Sequence, residues 1–579
     1  MVSREFLPAK ARAWFAAIGA RLGRTRAELP PQAENGPRLP KRGFLAAVGA
    51  RLGKTPLERV VAALMVLFVL AGLAFRARGF LFEASAFWLD ECVWAMNLTT
   101  RPLSQNLIRP PGFILISKAL SVTFSPTETV LRALPWVAGI AVTLASPALA
   151  RRLYQSLTSR LLFVAIICLN PAAIDFSKEF KPYSIGLLLH FSMILLALRY
   201  VETRRGRDLG LVLGGAALGC LFTQDLIFAF PGLFALLGLE TFRKNRNHFF
   251  WVAGAAGLIV TVIAAQYFFL WRHLPKDSSE YWGNKYNVFY TGKGARNYLS
   301  WAFERYRDMT GLPGIRREYW QDGGMEFAQR QMFRTADRVL WLTLHLMGLM
   351  VMVWRKRWRE ALLIALPVYV LWAFNAAGFW PFGMFRTNVF TVVYMTAIAA
   401  MAFDVPSDPK LRWFAPIPAL AIVVLPIVVF EGVWHSRKQA FTYDSKIPQL
   451  LERLVRIGEG SDGRAPLILD RRSCDPWRFY TQFHPSTRAR FAELLSENYD
   501  AHCLRDDTLI PAELQRYATS RQAVWIVLHV GHGLDKMLRT GKLPGLYRIS
   551  RFEVGPHTVM SFRRRAPRPP AIEQPLTAP

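Results

Sequence analysis

The stretch VVAALMVLFVLAGLAFR, residues 60–76, decides the class of this chain. It carries no charge until its last residue, and its apolar side chains run on without the alternation of a half-buried strand. As a helix it would rise roughly 25 Å, close to the ~30 Å of a bilayer's hydrocarbon core. Similar runs follow at 131–150, 160–175, 183–200, 208–223, 225–240, 249–271, 338–354, 361–378, 385–403 and 413–431, eleven with the first. At 579 residues and 52% hydrophobic, the chain is too apolar for an ordinary soluble protein. Continuous runs favour a helical bundle over a barrel, whose strands would alternate.

The formal net charge of +31 raises the question of nucleic acid. No zinc-finger spacing or RNP-like motif supports that partner, and nucleic acid is not expected. Much of the Lys and Arg lies in short loops between apolar runs. With the N-terminus inside, the inside loops are 151–160, 199–208, 241–248, 355–360 and 404–412, and four of the five are strongly basic. That asymmetry is what the positive-inside rule expects. The outside segments are then 77–130, a tight one at 176–182, 272–337, 378–388 and the tail from about 432.

Residues 1–58 are basic and repeat themselves: AAIGARLGRT (16–25) returns as AAVGARLGKT (46–55). Two amphipathic helices on an anionic cytoplasmic leaflet and a disordered segment are both open readings. A cleavable signal sequence is not, since the first long apolar run begins only near 60.

The tail reads differently. APLILD (465–470) and QAVWIVLHV (522–530) suit buried strands, STRARFAELLSENY (486–499) an amphipathic helix, and YRISRFEVGPHTVMSFRR (547–564) a terminal hairpin. Strands alternating with helices predict a small α/β domain. The Pro-rich end, 566–579, suits disorder. Of five cysteines, Cys168 and Cys220 lie in apolar runs and Cys92 in the first outside segment, while Cys474 and Cys503 share the tail. An outside tail would let the last two pair, though spacing alone leaves their separation open. His529 and His532 are spaced like metal ligands, but a strand end feeding a Gly turn explains them better, and His190, inside a span, suits packing.

Chemistry concentrates on the outside. In AFWLDECVWAMNL (86–98), Asp90 and Glu91 stand side by side among aromatic and aliphatic residues. On a helix Asp90 shares a face with Trp94 and Asn97, and Glu91 points about 100° away, so the two carboxylates need not do one job. Next, LIRPPGFILISKAL (107–120) suits an interfacial helix that opens at Pro110 and Pro111, with Arg109 at its edge. In IDFSKEFKPYSIGLLL (174–189), Pro182 suits a helix start whose free N–H groups, flanked by Lys178 and Lys181, form an anion site. Arg386 is a further cation at the outer start of a span. Glu179 suits a metal, an acceptor or an ion pair with its lysine neighbours. The aromatic segment 280–303 suits a sugar-stacking surface or a membrane-interface belt. A proton acceptor beside cations at a membrane surface fits sugar transfer from a polyprenyl phosphate.

In LDE (89–91), RPPGF (109–113) and FSKEFKPYSIGLLL (176–189), with TQDLIFAF (223–230) and GMFRTNVF (383–390) at weaker positions, the chain resembles the GT-C integral-membrane glycosyltransferases. The branch it is similar to is that of the protein O-mannosyltransferases and aminoarabinose lipid A transferases. Arg109 and Phe180 replace commoner choices of that family, and no His opens the RPP element.

The resemblance covers roughly 60–435 and implies a GT-C fold there, a polytopic α-helical membrane domain over 59–431; the basic segment 1–58 precedes it, and the strand and helix pattern of the tail predicts a periplasmic α/β domain over 432–565. The resemblance carries no such implication for the tail. It implies an inverting transfer from a polyprenyl-phosphate sugar to a hydroxyl of a glycolipid, polysaccharide or protein, at the periplasmic face of a bacterial inner membrane. Asp90 and Glu91 would be catalytic, Asp90 as general base; Lys178, Lys181, Arg386 and Arg109 would hold the donor phosphate; a divalent cation would be a candidate cofactor. The rival expectation is a flippase of lipid-linked sugars, which would need polar groups near the bilayer midplane and related halves.

Overall fold

The computed structural model describes residues 55–82, 85–102, 109–269, 288–310 (save 291 and 293), 327–383, 386–405, 420, 423–429, 446–458, 464–519 (save 505), 522–529 and 545–565. The chain divides into a unit of residues 1–59 and one of 60–579. The repeat at 16–55, His532 and most of 272–287 and 413–431 lie outside the described residues.

The membrane part runs through α1 (Pro56–Ala77), α2 (Leu89–Thr100), α3 (Pro111–Phe124), α4 (Glu128–Leu153), α5 (Leu157–Leu169), α6 (Pro171–Asp175), α7 (Tyr183–Thr203), α8 (Gly206–Gly219), α9 (Phe230–Lys244), α10 (Arg246–Phe269), α11 (Ala295–Thr310), α12 (Phe327–Trp354), α13 (Trp358–Ala376) and α14 (Thr391–Met401). Five helices, α1, α4, α7, α10 and α13, are long and apolar enough to cross a membrane, and α5 with its bent continuation makes up to six among the described residues. Among the described residues, three of the other apolar runs form shorter helices, Phe230–Phe242, Val339–Trp354 and Thr391–Met401. The run at 160–175 breaks at Pro171, which has no N–H to continue a helix; the Asn170 side chain caps the new turn by accepting from Ala173 N (2.9 Å), and the axis bends by 46°. The run at 208–223 is helical only as far as Gly219, and that at 385–403 begins with a 3-10 turn.

Burial sorts the helices. Every residue of α14 is buried, as befits an apolar helix at the centre of a bundle. On α10, Phe250, Trp251, Leu258 and Val260 are all exposed, a face suited to lipid. At the C-terminal end of α4 the buried Asp404 carboxylate accepts from the amides of Gln155 (2.8 Å) and Ser156 (2.7 Å) and from Arg357 (2.7 Å), fastening three connections together.

At the other end of α4 sits the tail domain. A five-stranded sheet runs in the order β2-β1-β3-β5-β4, with β1 (Ala465–Leu469), β2 (Tyr499–Cys503) and β3 (Val524–His529) parallel and β4 (Leu546–Val554) and β5 (His557–Arg564) an antiparallel hairpin. Helices α15 (Ile447–Gly458), α16 (Arg471–Arg478), α17 (Pro485–Asn498) and α18 (Ile510–Tyr517) complete it. Cys474 on α16 and Cys503 at the end of β2 form a disulfide. The Tyr480 hydroxyl accepts from Phe87 N (2.6 Å) and donates to Glu128 (2.6 Å), whose other oxygen meets His484 (2.8 Å). Phe87, Phe113 and Phe180 share one apolar cluster with Leu450, Phe479 and Val527, so the tail and the loops before α2, α3 and α7 are packed as one body.

Candidate active site

Helix α2 organises the site. Its first turn is closed by Glu91, which accepts from Trp88 N (3.3 Å) and is wholly buried. Arg132, near the start of α4, donates to both Glu91 oxygens (2.8 and 2.6 Å), and Phe180 N donates to one of them (2.6 Å). The remaining nitrogen of Arg132 holds the Ser85 carbonyl at 2.7 Å. A two-pronged carboxylate–guanidinium pair with its lone pairs satisfied is a rigid joint. Here it fixes the α2 loop to α4 and to the turn before α7.

Asp90 faces elsewhere, as the helix geometry predicts. Its carboxylate is partly open to solvent, 29% exposed, and lies 2.6 Å from Arg386. Arg386 comes from the 3-10 turn Arg386–Asn388, which Asn388 secures by donating to the carbonyls of Pro381 (3.0 Å) and Gly383 (2.9 Å). Lys181 donates to the Asp90 backbone carbonyl at 3.3 Å. Its ammonium stands 4.3 Å from the centre of the Trp94 ring, and the guanidinium of Arg109 lies 4.4 Å from that same ring. Arg386 adds a contact over Trp88 at 5.4 Å. Burial pushes Lys181 down to about 7; Arg386 and Arg109 act in the same sense, and Asp90 and Glu91 oppose them. Burial, with Arg101 nearby, likewise lowers Arg109 to about 10. Lys178 and Glu179 are buried in the same tight loop, where the Glu179 carbonyl accepts from Lys181 N at 2.7 Å. The structure thus brings Asp90, Arg386, Lys181 and Arg109 to one place, with Lys178 and Glu179 in the loop beside them and Glu91 behind.

Two features were not legible in the sequence as site elements. Arg132 reads as a charge at the head of an apolar run, and its partner lies 41 residues away. The second is a buried polar chain at the inner end of the first turns of α7. Asp225 accepts from Thr223 (2.6 Å) and lies 3.4 Å from His190, whose other ring nitrogen meets the Tyr394 hydroxyl at 2.6 Å. Gly186 makes room for it, since a Cβ there would stand 2.5 Å from the Asp225 carboxylate. Tyr183 is within electrostatic reach of Asp225, Asp90 and Arg386, which ties the chain to the site. His190 therefore has the hydrogen-bonding, packed role expected of it.

Among the described residues no group of three or more His, Cys, Asp and Glu side chains is placed to hold a metal. The accessible carboxylate, Asp90, is engaged by Arg386, and Glu91 by Arg132.

Residues 108–267 match the family model of the dolichyl-phosphate-mannose-protein mannosyltransferases. The match spans Arg109, Arg132, Lys178 and Lys181, and also Asp225 of the buried polar chain. Over that stretch the chain is similar to this glycosyltransferase family. No curated protein matches this chain along its sequence. Among solved structures it is similar to ArnT from Cupriavidus metallidurans bound to undecaprenyl phosphate, with 12% identity, a TM-score of 0.45 and coverage of 86% of this chain and 97% of that one. It is also similar to the oligosaccharyltransferase AglB from Archaeoglobus fulgidus in complex with an inhibitory peptide and a dolichol-phosphate, with 12% identity, a TM-score of 0.41 and coverage of 76% and 64%.

Proposed function

We propose that this chain is a glycosyltransferase that moves a sugar, with inversion, from a polyprenyl-phosphate donor to a hydroxyl of an envelope glycolipid, polysaccharide or protein at the periplasmic face of a bacterial inner membrane. The observation that carries the reading is the Asp90 carboxylate 2.6 Å from Arg386, beside Lys181 and Arg109. In the reaction the bond between the anomeric carbon and the phosphate oxygen breaks as the acceptor oxygen bonds to that carbon. The acceptor proton passes to Asp90. A singly charged diester leaves as a monoester with close to two negative charges, and Lys181, Arg386, Arg109 and Lys178 stabilise the added charge. Without donor, Arg386 and Asp90 satisfy each other. A donor phosphate that draws Arg386 away leaves the carboxylate free to act as base. Glu91 acts as a positioning residue, through Arg132 and Phe180 N.

Two observations support the face. The loops opposite the site carry the concentrated Lys and Arg, and the Cys474–Cys503 disulfide in the domain beside the site suits an oxidising compartment. The test is to incubate the purified protein with a labelled polyprenyl-phosphate sugar and acceptor-bearing envelope extract. Release of free polyprenyl phosphate with label in an acceptor is expected. A donor that is moved across a vesicle membrane but never cleaved would establish the flippase reading instead.

A further inference from the structure

We propose that Trp94 is a positioning residue that presents Lys181 and Arg109 to the donor phosphate while leaving their charges unspent; this rests on the donor reading above. The two cations come from separate loops, one before α3 and one before α7, and both lie within 4.4 Å of one indole ring. Like charges so placed repel, and something must hold them. A carboxylate would do so, but it would cancel the charge and compete with the phosphate, as Asp90 does for Arg386. The negative face of an indole attracts a cation without a formal counter-charge. Among the described residues, Nη1 of Arg109 is buried with no hydrogen-bond partner, so a donor is left for a ligand.

The ring itself is held. Phe113 and Phe180, both wholly buried, meet it edge-on at centroid distances of 5.9 and 6.4 Å. Trp94 also stands one helical turn after Asp90, on the same face of α2. One helix therefore carries the base and the platform for two cations, in fixed register. The burial that pushes Lys181 down to about 7 makes such support consequential, since the ammonium has lost much of its hydration.

The experiment measures binding of undecaprenyl phosphate to the full-length protein in detergent micelles, for wild type, Trp94→Leu and Trp94→Phe. Each is also made in a background with Lys181→Met and Arg109→Met. We expect about tenfold weaker binding for Trp94→Leu and a smaller loss for Trp94→Phe. In the double-Met background the Trp94→Leu loss should shrink to less than about twofold, because its partners are gone. Wild-type affinity in Trp94→Leu would overturn the proposal, and so would a loss that persists undiminished in the Met background, which would mark a packing role. Should Trp94→Leu fail to fold, the same cycle with Trp94→Phe decides by the same criteria. A wild-type protein with no affinity for undecaprenyl phosphate would overturn the donor reading itself, and this proposal with it.

Discussion

Asp90 and Glu91 are neighbours in sequence with the same functional group, and one helical step separates their fates. Glu91 is turned inward, where Arg132 and the Phe180 amide take up its oxygens; Asp90 is turned to the partly open side, where Arg386 waits. Replacing Glu91 with Gln leaves the buried Arg132 without its counter-charge. We expect a loss of stability of about 3–5 kcal/mol, read as a large fall in thermal unfolding temperature in detergent. Lys181 gives a pH prediction. Its folded value of about 7 lies below the usual 10.5, so between these values the unfolded chain binds more protons. Its contribution to stability therefore rises with pH across that window, while its charge, and with it the affinity for undecaprenyl phosphate, falls as pH rises through about 7. Lys181→Arg should shift the loss of affinity to higher pH, because a guanidinium keeps its proton. At this scale the sequence showed the carboxylate pair and the cations, because charges at the mouth of an apolar run are conspicuous. It did not show which cation meets which carboxylate, because Arg386 and Arg132 reach α2 only through the packing of distant segments.

The elements were legible to the extent that local chemistry sets them. Pro110 and Pro111 predicted a helix start, and α3 begins at Pro111; Pro182 predicted another, and α7 begins at Tyr183. Strands expected at 465–470 and 522–530 are β1 and β3, and the hairpin expected at 547–564 is β4 and β5. By contrast β2, YDAHC, was missed. It is polar in its middle and partly exposed at a sheet edge, and pairing with β1 makes it a strand rather than its own pattern. The break in the run at 160–175 was missed because a Pro in an apolar run can kink a helix or restart it, and the Asn170 cap decides which. Close approach between helices is likewise invisible to hydropathy. A Cβ at Gly348 on α12 would stand 1.8 Å from the Ile398 carbonyl of α14, so Gly348→Ala must push the two helices apart. We expect it to destabilise by roughly 1–3 kcal/mol or more, measured by thermal unfolding, with activity falling as the turn that carries Arg386 shifts with α14.

For the whole molecule, the bundle and the tail domain act as one frame around the site. Tyr480 and His484 hold Glu128 at the head of α4, four residues from Arg132, so the tail buttresses the joint that sets α2. Hydropathy points to the membrane class, and charge patterning predicts an orientation. They could not show that an α/β domain would pack its core against the first loop, since that depends on shape. The central claim is that Asp90 removes the acceptor proton at a cluster of cations that hold the departing phosphate. Its most direct test is turnover of a labelled polyprenyl-phosphate sugar by Asp90→Asn, alongside its binding of undecaprenyl phosphate. The account predicts a loss of turnover on the order of a hundredfold or more with affinity retained or improved, because Arg386 is released from its ion pair. Undiminished turnover by a folded Asp90→Asn protein would contradict it.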